Sequence, residues 1–177
     1  MNLIIKTDFP ANSLLVNSIK YDFVDSYGIL INTKKEIDST TAGKAFFSGS
    51  PRWVGALFNF RNKIVRVLGL KVSAPPVNPE KALANFKCEA GEQLGLFKVF
   101  AKNQHEVILG EDDKHLDFRI SIYLKKTVDQ KQQMILSTTV IFNNWFGKLY
   151  FLPVKPFHKL VVPAMMKKMI KQLEKCN

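Results

Sequence analysis

Cysteine is scarce in this 177-residue chain, which has two, Cys88 and Cys176. Neither stands at metal-ligand spacing from another ligand, and the second lies one residue from the end of the sequence, so no disulfide framework is expected. Long apolar runs are missing as well. Leu3 to Ile5 are followed at once by Lys6 and Asp8, too little for the core of a signal peptide. No later run approaches the ~20 apolar residues of a membrane span, so a soluble, cytoplasmic protein is expected. No G-x-G-x-x-G or G-x-S-x-G run occurs, so neither a nicotinamide cofactor nor a serine nucleophile is implied. Histidine is limited to His105, His115 and His158, none at i+3 or i+4 from another, and neither cysteine has an adjacent base. No metal, cofactor or covalent catalysis is expected from such a set.

What is present is apolar and basic. Hydrophobic residues make up 46% of the chain, with 14 Phe, which is enough to build a core. At this length a single domain over residues 1–177 buries about 70% of the surface of its unfolded chain. The net charge of +11 is unevenly placed. Residues 51–71 carry five basic and no acidic side chains, and residues 153–177 carry six lysines against Glu174.

Residues 21–32, "YDFVDSYGILIN", are rich in β-branched and aromatic types and predict a strand. Ser39 predicts the cap of a short helix through Phe47. Ser50 and Pro51 open a second helix over 51–68, with Trp53, Leu57, Phe60, Ile64 and Leu68 at helical spacing and Gly69 closing it. Prolines at 75, 76 and 79 break the chain. The pattern then switches to period two, predicting strands near 94–102, 105–111, 115–126, 132–142 and 148–153. The turns between them are so short that neighbours must be antiparallel. Residues 156–177 predict a helix kinked or restarted at Pro163, with Met165, Met166, Met169, Ile170 and Leu173 on one arc and Lys167, Lys168, Lys171 and Lys175 on the other.

One strand, two helices, several antiparallel strands and a last amphipathic helix predict an α+β fold in which a curved sheet wraps around the C-terminal helix. That order resembles the helix-grip fold of the START-like, or SRPBCC, superfamily of lipid and hydrophobic-ligand binding proteins. At the level of motifs, "YDFVDSYGI" at 21–29, "FFSGSPRWVGALFNFRNKIVRVLGL" at 46–70, "ILGEDDKHLDFRISI" at 108–122 and "VIFNNWFGKLYFLPVKPFHKLVVPAMM" at 140–166 resemble a mainly bacterial family of unknown function, DUF2867. The resemblance implies the helix-grip architecture and an enclosed apolar ligand. It carries no catalytic residues, because that family has none assigned.

The acidic stretch "GEDDKHLDFR" has two readings. A strand places His115, Asp117 and Arg119 in one row, which could exchange protons or bind an anion. The alternating Leu116, Phe118 and Ile120 must face the gripped helix, however, so the row points away from the cavity between sheet and helix. A tight acidic turn followed by a ladder of cross-strand ion pairs is the favoured reading.

The first functional expectation is a binding protein for a small apolar or amphipathic molecule held between sheet and C-terminal helix. Phe97, Phe118, Ile120, Val140, Met165 and Met169 would supply apolar walls, with Trp53 near the mouth and Arg61 meeting an anionic headgroup. The second is an enzyme on an enclosed apolar substrate, with His115, Asp117 or His158 moving protons, which requires one of them to face inward. The third is an interaction module whose basic helices hold a partner. No nucleic acid is expected, since exposed aromatics are not interleaved with the basic residues. Weak contact with an anionic membrane surface or an acidic protein is expected from Arg52, Arg61, Lys63, Arg66 and the lysine arc.

Overall fold

The structure, a computed structural model, describes residues 3–16, 20–33, 35–48, 51, 53–55, 79–127 and 131–175. Among them the elements run β1 (Ile5–Lys6), β2 (Phe23–Ile31), α1 (Ser39–Ser48), α2 (Pro79–Asn85), β3 (Gln93–Leu94), β4 (Phe97–Lys102), β5 (Glu106–Asp112), β6 (Leu116–Lys126), β7 (Gln132–Phe142) and α3 (Trp145–Leu173). The expected α+β class holds. Seven strands form one sheet in the order β1-β2-β7-β6-β5-β4-β3, every pair antiparallel. The second expected helix, with Arg61, Arg52, Lys63 and Arg66, lies outside the described residues except for Pro51, which is not helical, and 53–55, which are.

Strand alternation sorts each face. In the register of β2, β7, β6 and β5, Ile29, Ile31, Met134, Leu136, Ile122, Leu124, Val107 and Leu109 share the inner face. They close on Ala42, Ala45 and Phe46 of α1 and on Val162, Met165, Met166, Met169, Ile170 and Leu173 of α3 as one core. A fully buried side chain of this kind stabilises the fold by about 1.5–3 kcal/mol relative to its exposed state. The outer face has a different anchor. Glu106 on β5, 0% exposed, accepts hydrogen bonds from the Ser13 hydroxyl at 2.5 Å and the Leu14 N–H at 2.6 Å, and from the Ser121 hydroxyl. These bonds strap the segment before β2 onto the back of the sheet.

The C-terminal helix corrects the sequence reading most. A strand was expected at 148–153 and a helix only from 156. Instead α3 is a single helix of 29 residues from Trp145, running through Pro153, Pro156 and Pro163. Its start is fixed by Asn144, an extended N-cap whose side chain accepts from the Gly147 N–H at 3.1 Å. Gly147 also lets the first turn press on the preceding hairpin, since a β-carbon there would lie 2.0 Å from the His115 carbonyl oxygen. Pro153 and Pro156 are exposed and Pro163 is half-buried, so the ring and the unbonded carbonyl it leaves fall on the wetter side. Period-two hydrophobicity in "KLYFLP" had imitated a strand, and the cap and the buried Phe151 overrule it.

Smaller corrections follow the same logic. The cap of α1 is Asp38, not Ser39. Its carboxylate accepts the Thr41 N–H at 2.7 Å, while the Ser39 hydroxyl turns to the Asn103 carbonyl at 2.5 Å. Pro79 opens the short helix α2, where its missing N–H costs nothing. The two-residue strands β1 and β3 are too short to leave a periodic trace.

Candidate functional site

A charged residue stands where β2 should be apolar. Phe23, Asp25, Tyr27 and Ile29 alternate on the inner face, and Asp25 pairs with Thr138 of β7. Both are buried, at 4% and 5% exposure. The first half of α3 lays His158 over them. Its Nε2 is 3.1 Å from the Thr138 hydroxyl and its Nδ1 is 3.6 Å from the Asp25 carboxylate. Lys6 of the edge strand reaches to 3.6 Å of the same carboxylate. Neither Asp25 oxygen has a hydrogen-bond partner, and neither has His158 Nδ1. A buried carboxylate in that condition is costly. Burial holds the His158 imidazole below its ordinary value, with the Asp25 charge pulling the other way, so the ring is neutral at neutral pH. Burial and then Asp25 push the Tyr27 phenol up to about 12.

Next to this cluster, the ends of β2 and β7 and the first turns of α3 form an open cleft of about 450 Å³. Phe23, Phe142, Phe151, Leu149, Leu152 and Trp145 give it apolar walls, and Lys148, Lys155 and Asp22 supply its charges. Phe23 connects cleft and cluster, lying edge-on to Phe151 at 4.9 Å and to His158 at 5.7 Å between ring centres. The Lys155 ammonium stands 5.8 Å from the Phe23 ring centre. The Asp22 carboxylate is committed to the Phe142 N–H at 2.7 Å. The free cationic character of the cleft therefore comes from its two lysines.

The residues singled out from the sequence are dispersed over the inner face. Phe97 and Phe118 meet edge-on at 5.8 Å and, with Ile120, are half-buried. Val140 is buried, across the strands from Phe23 and Phe118. Met165 and Met169 belong to the core. Trp53 is 45% exposed, and Arg61 is outside the described residues.

The acidic stretch is a hairpin joining β5 to β6. Asp117 accepts from the Asp113 N–H and the Asn143 amide, and Asp113 accepts from the His115 N–H. Arg119 pairs with Asp112 at 2.5 Å and lies flat on Phe100, 3.5 Å from the ring centre. Asp117 and Arg119 are on the outer face, so of the three proton-transfer candidates His158 alone sits between sheet and helix. His115 packs on Phe146 beside Asn144 at the start of α3. The Cys88 thiol is buried and, mainly for that reason, raised to about 11, which keeps it protonated at neutral pH. No group of three metal-ligating side chains is found among the described residues. No helix among them is long and apolar enough to cross a membrane.

A family profile described as a protein of unknown function, DUF2867, matches residues 19–165. The chain belongs to the DUF2867 family. That span holds Asp25, Thr138, His158 and every residue lining the cleft. No curated protein and no solved structure matches the chain significantly.

Sequence reasoning passed over Asp25 and Thr138, and the signal was there. In "FVDSYGILI" and "MILSTTVIF" each interrupts the inward phase of its strand, between Phe23 and Tyr27 and between Leu136 and Val140. A polar residue in the apolar phase marks a buried polar site more specifically than a charged turn does. The cleft was hidden because its helical wall was read as a strand.

Proposed function

We propose that this DUF2867 protein holds a small amphipathic molecule, with an apolar body and an anionic head, in the cleft between the sheet and the first turns of α3. The cleft itself carries the reading: six apolar side chains line a volume suited to a small ligand, and Lys148 and Lys155 are its cationic side chains. Burial of the body at about 25 cal/mol per Å² would drive binding, and the lysines would set orientation. The half-buried inner-face residues Phe97, Phe118 and Ile120 lie outside the cleft, and Phe97 and Ile120 pack against the core. A helix-grip relationship to lipid-binding proteins fits the same reading.

Native mass spectrometry of protein purified from its own cell extract, followed by denaturation and identification of released molecules, tests it. A stoichiometric amphipathic anion that is lost from the folded Phe142→Ala variant is the expected result. A clean apo mass across growth conditions would sink the reading.

The His158 cluster favours one further possibility, that the bound molecule is also altered. A neutral imidazole between a hydroxyl and a carboxylate is suited to moving a proton. In that case His158→Gln retains the ligand and loses its conversion. Equal conversion by variant and parent protein would remove His158 from the chemistry.

A further inference from the structure

We infer that the first half of α3 docks the protein on an anionic phospholipid surface. The helix contains six lysines, three of them in residues 145–160, and no acidic residue. Successive residues turn by about 100°, so Trp145, Leu149, Leu152, Pro156 and Leu160 fall on one stripe. They face away from the core: Trp145 is 73% exposed, Leu149 54%, Leu152 65% and Leu160 64%. Lys148, Lys155 and Lys159, all exposed, border the stripe on its core-facing side. The same stripe turns polar further along, where Lys167 and Lys171 replace the leucines.

A row of large apolar side chains edged by lysines, with a tryptophan at one end, matches the demands of the bilayer interface. There, apolar groups enter the headgroup boundary and ammonium groups meet lipid phosphates. The complementarity is with negative charge, because nothing acidic on the helix opposes it. Each lysine near such a surface strengthens binding by about 1 kcal/mol, or roughly fivefold. Docking through this stripe stands independently of a bound ligand, since Pro156, Lys159 and Leu160 lie outside the cleft. The cleft nonetheless opens on the same side, through Trp145, Leu149 and Leu152.

The test is co-sedimentation of the full chain with vesicles of phosphatidylcholine containing about one third phosphatidylserine, against pure phosphatidylcholine, at low salt and at ~0.5 M salt. Binding to the anionic vesicles alone, weakened by salt, is expected. Lys159→Glu/Leu160→Asp, confirmed folded by near-UV circular dichroism, should bind about tenfold or more weakly. Lys167→Glu/Lys171→Glu, which leaves the apolar part of the stripe intact, should weaken binding less than the first pair. A Trp53→Phe protein, in which Trp145 is the one remaining indole, should blue-shift its emission on the anionic vesicles even if the double variant fails to fold.

Docking is overturned by no sedimentation, by equal binding to both vesicle types, by parental binding of the folded Lys159→Glu/Leu160→Asp protein, by equal loss in the two lysine variants, or by an unmoved Trp145 emission. The ligand reading fails separately, through Phe142→Ala and the released mass, because Phe142 is not on the stripe.

Discussion

Residues 145–160 and 161–173 of α3 rest on the same sheet and share one continuous helix, yet their inner and outer faces are built from different materials. The second half buries Val162, Met165, Met166, Met169, Ile170 and Leu173, whereas the first buries Gly147 and Phe151 and turns His158 onto the buried polar pair Asp25 and Thr138. Outside, the two halves carry three lysines each, but the first also exposes Trp145, Leu149, Leu152, Phe157 and Leu160 and is interrupted by Pro153 and Pro156. Stability is concentrated where side chains are apolar, flexible thioethers that fill space. The unmet polar groups and the exposed apolar surface are concentrated where the cleft lies.

The comparison is broken most severely at Met169, fully buried in the core. Met169→Ala should lose about 2–5 kcal/mol in urea denaturation. Met169→Trp should lose about 1–3 kcal/mol by overpacking, and stability equal to the parent would reveal a void in the half described as filled.

The pH dependence of stability probes the first half. His158 is depressed by burial in the folded protein, so below the unfolded value near 6.5 the unfolded chain binds the extra proton first. Stability should therefore fall as pH drops from 7 through the folded pKa, with a slope of up to about 1.4 kcal/mol per pH unit from this one group, and then level off. Subtracting the profile of His158→Gln isolates that contribution, and identical profiles would contradict a buried neutral imidazole.

A smaller effect of opposite sign is expected at Asp25. Asp25→Asn removes a buried charge that lacks a hydrogen-bond partner, and a gain of about 1 kcal/mol should appear as a raised denaturation midpoint. A large loss would mean that the contacts with Lys6 and His158 hold the fold. The smallest change belongs to Leu152→Ala. This position is 65% exposed, and a shift within about 0.5 kcal/mol is expected. A loss near that of Met169→Ala would erase the distinction between the halves.

The sequence disclosed the α+β class, the antiparallel order of β4 to β7 and the inward arc of Met165, Met166 and Met169, because each is written in a local period. It disclosed less where two signals competed. In residues 148–153 alternation and aromatic content favoured a strand, while the deciding facts were a cap at Asn144 and the burial of Phe151 against Phe23 and Phe142. The candidate site was the least legible, since Asp25, Thr138 and His158 lie on three elements and only the pairing of β2 with β7 brings the first two side by side. Periodicity can say that Asp25 points inward. It has no means of saying what it will meet.

The strap on the outer face bears on the order in which the molecule assembles. Glu106 and Ser121 come together when β5 and β6 fold as a local hairpin, but Ser13 lies 93 residues earlier. Contacts over such separations form late, because the entropy of closing the intervening chain opposes them until other contacts are in place. Loss of the Ser13 hydroxyl should therefore speed unfolding more than it slows folding.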